Sequence, residues 1–200
     1  MAIVSANNNS LSAITALPTA VSGGGFNLIS TQTASSSSTI SFTSGIDSTY
    51  KEYIFKFINI HPSEAEHFTF QASTNSGSSY GVTITSTYFH ATHDEGDTST
   101  ALSYVAGKDL AQSTSYLRLA DSLSTSADES SSGTLHLFDP SNTTFVKHFI
   151  SDIHEHQGSN YAVRKFLSGY ANTTSAINAI DFKFASGNID SGVIKLYGVS

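Results

Sequence analysis

A short acidic segment carries the best metal-binding chemistry in this sequence. His90 and His93 are followed by three carboxylates, Asp94, Glu95 and Asp97, with a glycine between the last two. Carboxylates alternating around a glycine can wrap a hard cation in oxygen ligands, and the imidazoles could add nitrogen ligands. The spacing matches no defined ligand motif, so the segment predicts either a cation site or a solvated loop.

A second cluster of ionisable residues follows a predicted strand: Asp152, His154, Glu155 and His156. In an extended segment the two histidines share a face, where they could ligate zinc together with a neighbouring carboxylate. Histidine pairs at a sheet rim can equally form a pH-sensitive contact between subunits.

Several tyrosines fall near the ends of predicted strands, and we expect Tyr88, Tyr104, Tyr161 and Tyr170 to be exposed. A tyrosine ring can stack on the apolar face of a sugar, which makes these four residues candidates for glycan binding. Tyrosine is also a common interface anchor and sheet residue, so subunit contacts or core packing are the alternatives.

No ordered catalytic motif accompanies the many Ser, His and Asp residues. A GxSxG nucleophile elbow is absent, and any triad chosen from the sequence would be arbitrary. Of the glutamates, only Glu52 lies within a predicted strand, where Lys56 shares its face and predicts an ion pair rather than a catalytic acid. We therefore expect a protein that is not an enzyme, with no catalytic residues and no cofactor.

The elements that must position these groups are β-strands. Tyr53, Phe55 and Phe57 alternate with Ile54 and Lys56, a period of two that indicates a strand with one packed face. The same pattern predicts eleven strands, at residues 27–33, 39–43, 50–60, 68–74, 81–88, 101–105, 134–138, 144–150, 162–168, 179–184 and 192–197. A short helix is predicted at 115–123 and a long exposed loop at 124–132. Short strands at regular spacing favour a jelly-roll-like antiparallel β-sandwich over residues 26–200.

Composition narrows the function. The chain of 200 residues has 38% hydrophobic residues, with 13 Phe and 9 Tyr, enough for one substantial core. A net charge of -7 and only 9 Lys and Arg argue against binding nucleic acid. No run is long enough to insert into a membrane, and the N-terminus lacks the basic region of a signal peptide. Ser and Thr make up roughly three in ten residues, a surface better suited to an extracellular or virion protein than to a metabolic enzyme.

Residues 1–25 differ in composition from the rest of the chain. They are small and polar, and they end in the glycines 23–25, which indicate a linker. Their few apolar side chains cannot form a core of their own. We therefore expect residues 1–25 to be an extended N-terminal arm that docks on another subunit of an assembly.

The opening NNNSLSAITALP, the segments YKEYIFKFINIHPS and TLHLFDPSNTTFVKHFIS, and the closing GNIDSGVIKLYG carry a family resemblance. Over nearly its whole length the chain resembles structural or hypothetical proteins encoded by tailed bacteriophages of marine bacteria. This resemblance implies a virion component and transfers no site residues.

The expected function is therefore that of a structural virion protein. A tail appendage or fibre subunit that contacts host surface glycan is favoured, a capsid decoration protein is the alternative, and a carbohydrate-processing enzyme is a minor third. Its expected partners are other virion proteins and copies of itself, with a trimer favoured for a fibre. It would be made in the host bacterial cytoplasm and released by lysis.

Overall fold

Period-two patterning translates directly into strands with one buried row of side chains. The computed structural model describes residues 25–158 and 160–200, and these form twelve strands and no α-helix. The strands are β1 (Phe26–Thr33), β2 (Ile40–Phe42), β3 (Glu52–Pro62), β4 (Glu66–Ser73), β5 (Ile84–Asp94), β6 (Thr100–Tyr104), β7 (Leu117–Leu123), β8 (Ser131–Phe138), β9 (Lys147–Gln157), β10 (Tyr161–Ala171), β11 (Ala179–Phe184) and β12 (Ile189–Val199). No helix in these residues is long and apolar enough to cross a membrane. The predicted arm, apart from its last residue, lies outside the described residues and stays a prediction.

The twelve strands form two antiparallel sheets that pack face to face. The large sheet has the order β1-β12-β3-β8-β9-β10-β5-β6, and the small sheet has the order β2-β11-β4-β7. Every pairing within the two sheets is antiparallel. The prediction of an all-β antiparallel sandwich is therefore confirmed.

Aromatic side chains fill the space between the sheets. Phe55 and Phe57 of β3 are buried and pack edge-on against Phe182 of β11, with ring centroids 5.1 and 5.2 Å apart. Phe68 of β4 stacks on the same Phe182 ring at 5.9 Å. Since Tyr53 is also fully buried, the predicted inward row of β3 is correct.

The helix predicted at 115–123 is wrong, because this segment forms strand β7 at the edge of the small sheet. Leu117, Leu119 and Leu123 are all buried, and Asp121 falls in the same period-two row with its side chain 3% exposed. A charged residue in the middle of the inward row concealed the strand pattern. The predicted loop at 124–132 is also shorter than expected, since β8 begins at Ser131.

Candidate functional site

The outer face of the large sheet carries a line of apolar side chains, which we call the aromatic strip: Tyr104, Phe89, Phe166 and Ile150. Phe166 is half-buried, and the other three are exposed. Register places Tyr104 of β6 beside Phe89 of β5, and Phe89 beside Phe166 of β10. The rings of Phe89 and Phe166 stack at 5.1 Å with an interplanar angle of 18°. Outward positions alternate with buried ones along each strand, so each of four neighbouring strands contributes one outward-facing residue to this strip.

Shallow hollows follow the same face of the sheet. Phe89, Phe166 and Ile150 line a hollow of about 260 Å³. A second hollow, of about 420 Å³, shares Ile150 and adds His148 and Tyr170. A third, of about 620 Å³, shares His148 and includes the exposed Phe145. Because neighbouring hollows share lining residues, the three lie side by side along this face.

A charged pair borders the aromatic strip. The guanidinium of Arg164 donates to both carboxylate oxygens of Asp152, at 2.9 and 2.5 Å, and lies 4.7 Å from the ring centroid of Phe166. These hydrogen bonds hold the pKa of Asp152 below its usual range. The pair presents a fixed planar donor and acceptor array beside the rings, an arrangement that can orient a polar ligand stacked on them.

The four candidate tyrosines do not converge on one site. Tyr104 is exposed on β6, and Tyr170 lies on the outer face, in the second hollow. Tyr161 is half-buried at the start of β10, on the inward row with Val163. Tyr88 is fully buried, so the prediction that it is exposed is wrong: its position on β5 shares the inward row with Ile84.

The acidic segment forms the turn between β5 and β6. The Asp94 carboxylate accepts hydrogen bonds from the Thr98 hydroxyl and from the backbone N–H groups of Thr98 and Ser99, and these lower its pKa. His93 Nε2 lies 3.1 Å from Asp97 Oδ1. These bonds show how the carboxylates stabilise their own turn.

Strand geometry separates the two histidines of that segment. His90 and His93 are three residues apart on β5, so they project from opposite faces. Glu95 instead approaches His156 of β9, with an oxygen 3.7 Å from Nε2. No three His, Asp or Glu side chains in residues 25–158 and 160–200 are close enough together to hold a metal ion.

The second predicted cluster is divided by the sheet. Asp152, His154 and His156 occupy the outward row of β9, whereas Glu155 points into the sandwich and is fully buried. Asp152 is bound by Arg164, as described above. The histidines therefore share a face as predicted, without Glu155 beside them.

The interior holds a charged cluster, made of Lys165, Glu155, Asp121 and Lys108. Lys165 Nζ contacts Glu155 Oε1, and both side chains are excluded from solvent. Lys108 Nζ contacts Asp121 Oδ2, and His67 Nδ1 lies 2.8 Å from Asp121 Oδ1. Charged groups this deep require partners, because desolvation of an unpaired charge is very costly.

Two further polar groups face the same interior region from β5. The Tyr88 hydroxyl and His90 Nδ1 are buried and have no hydrogen-bond partner among the described residues. Burial raises the pKa of Tyr88 and lowers that of His90, which favours the neutral form of each. Register places His90 directly opposite Lys165, so both belong to the inward surface of adjacent strands.

The charged cluster was missed at the sequence level, although a signal for it exists. Val163, Lys165 and Leu167 form one period-two row of β10, and Ile153 and Glu155 form one of β9. Lys165 has a buried aliphatic residue on each side in its row, and Glu155 directly follows Ile153 in its own, so the alternation places both charged residues inside.

Comparisons with family models, with curated proteins and with solved structures give no match to this chain. The binding surface proposed below is therefore argued from the geometry of the outer face.

Proposed function

We propose that this protein is a non-enzymatic structural protein of a bacteriophage particle, which binds its partners through the outer face of the large sheet. The aromatic strip is the observation that carries the proposal. Apolar side chains that line up in solvent and are bordered by polar groups are typical of binding surfaces. The resemblance of the sequence to virion proteins of tailed phages is the reason for placing the protein in a phage particle.

The strand order supports a jelly-roll topology, which is common in viral capsid and lectin domains. Two hairpins, β5–β6 and β9–β10, lie side by side at one end of the large sheet. Without them, four strands remain in each sheet, in the orders β1-β12-β3-β8 and β2-β11-β4-β7. These two orders support a two-sheet roll in which the chain passes repeatedly between the sheets. The inserted hairpins carry all four residues of the aromatic strip.

Assembly with copies of itself is supported by the edge of the large sheet. Strand β6 has the sequence TALSY, without charge or proline, and all five of its residues are exposed. Leu102 is 74% exposed and Tyr104 is 55% exposed. Charged residues and proline keep an edge strand from pairing with another chain, and β6 has neither. Its free backbone groups can therefore pair with a second chain. We propose β6 as the contact of a homo-oligomer, with a trimer favoured.

Within the particle we favour a tail appendage that contacts host surface glycan. Stacked rings beside the Arg164–Asp152 pair combine an apolar platform with directional hydrogen-bonding groups, as a sugar ring requires. The alternative is a capsid decoration protein, for which the same face would clamp neighbouring shell subunits. A density map of the intact particle distinguishes a tail position from a shell position, and absence of the protein from purified particles would contradict both.

Two variants and one control variant test the binding surface. We expect Leu102→Lys to convert the oligomer to a monomer in light scattering at micromolar concentration, whereas Ile58→Lys, also at an exposed apolar position, should leave it assembled. Arg164→Ala should weaken binding to host polysaccharide by about tenfold or more, as expected for loss of a charged hydrogen-bonding group, without changing the oligomeric state. A wild type that is monomeric excludes the β6 contact, and turnover of the polysaccharide by purified protein would show that it is an enzyme.

A further inference from the structure

One buried ion pair has no part in the binding surface. The side chains of Lys165 and Glu155 are 1% and 0% exposed, and Lys165 Nζ directly contacts Glu155 Oε1. The two residues project inward from the adjacent strands β10 and β9, where Glu155 is the register partner of Val163. Amine and carboxyl are thus held together in a region that water does not reach.

Burial favours the uncharged forms of this pair. Desolvation raises the pKa of Glu155 to about 7 and lowers the pKa of Lys165 to about 8. Because the pKa of Lys165 stays above that of Glu155, the ion pair predominates near neutral pH, and a smaller population holds the neutral carboxylic acid and the neutral amine from which an amide condenses. An ion pair in this position also carries a desolvation penalty that a neutral amide would not.

The backbone of Asp121 orients both reacting groups. Its N–H donates to Glu155 Oε2 at 3.0 Å, and its carbonyl accepts a hydrogen bond from Lys165 Nζ, also at 3.0 Å. A backbone donor at this distance stabilises negative charge that develops on a carboxyl oxygen under attack. Fixed contact between amine and acid raises their effective concentration far above that of free reactants.

We propose that Lys165 and Glu155 condense into an intramolecular isopeptide bond that covalently links β10 to β9. The lone pair of Nζ attacks Cδ of Glu155, so that a C–N bond forms. The bond from Cδ to the hydroxyl oxygen then breaks, and the hydroxyl leaves as water together with a proton from Nζ. No oxidant or co-reactant is required, and the link provides covalent bracing in a chain that contains no cysteine.

Intact mass spectrometry under denaturing conditions tests this bond. Wild-type protein should weigh less than its sequence requires by one water, about 18 Da. Lys165→Met should have its full sequence mass, and Lys108→Met, which alters the neighbouring lysine of the charged cluster, should keep the deficit. Tandem mass spectrometry of a digest should yield a branched peptide joining position 155 to position 165.

A double variant distinguishes loss of the isopeptide bond from loss of folding. Lys165→Met combined with Glu155→Leu removes both buried charges, and such apolar replacements of a buried pair are often tolerated. This double variant should fold, as judged by circular dichroism, and show no deficit. Three results would each overturn the proposal: full sequence mass in wild type after incubation at pH 8, a deficit that persists in the folded double variant, or a deficit that maps to Lys108 and Asp121.

Discussion

Replacement of Phe55 by alanine tests the packing of the sandwich at its centre. The side chain is 0% exposed, and its ring contacts Phe42 and Phe182 at centroid distances of 5.3 and 5.1 Å. Truncation of a buried phenylalanine costs about 3–5 kcal/mol through lost burial and the cavity that remains. Two edge-on ring contacts disappear as well, which places the expected loss in the free energy of unfolding in the upper part of that range.

Urea unfolding followed by circular dichroism measures this loss. With a slope of about 2 kcal/mol per molar urea, the midpoint of Phe55→Ala should fall by about 2 M. Phe145→Ala is the matched control, because the same atoms are removed from a side chain that is 67% exposed. It should change stability by no more than about 0.5 kcal/mol, and Lys56→Ala on the outward row of β3 should also cost little. Equal losses for Phe55→Ala and Phe145→Ala would refute the assigned inward row.

Three further predictions concern charge, ions and the arm. The hydrogen bonds from Arg164 lower the pKa of Asp152 in the folded state. The stability that this pair contributes is therefore present above the unfolded pKa of about 4 and is lost as pH falls below it. The variant Asp152→Asn should show a shallower loss of stability in acid. Chelator should leave the melting temperature unchanged, because the carboxylate of Asp94 is already hydrogen-bonded within its own turn. A calcium-dependent rise in the melting temperature of wild type would contradict this if it is absent when Asp94, Glu95 and Asp97 are all replaced by alanine. Deletion of residues 1–25 should abolish incorporation into particles while the sandwich stays folded. Unfolding of the truncated domain would show instead that the arm belongs to the core.

Sequence periodicity alone located most of the strands, because a half-buried strand must alternate apolar and polar residues. It placed Tyr53, Phe55 and Phe57 on the inward row, where the structure has them. It failed at β7, where Asp121 interrupts a row of leucines. A charged residue in a sequence pattern predicts an outward position, because the pattern does not show the lysine and histidine that contact Asp121 in the folded protein. The exposure expected for Tyr88 failed for a related reason, because the strand end predicted there is the middle of an eleven-residue strand.

Only the tertiary structure decided which distant groups meet. The aromatic strip unites the hairpin β5–β6 with the hairpin β9–β10. The two hairpins meet through the pairing of β5 with β10, a long-range backbone pairing that no local pattern encodes. The charged cluster likewise requires β7 of the small sheet to lie over β9 and β10, so that the backbone of Asp121 reaches Lys165 and Glu155. The alternation of buried and exposed residues within a strand follows from strand geometry, in which successive side chains point to opposite faces. Which strands become neighbours in the sheet depends on the free energy of the whole packed core.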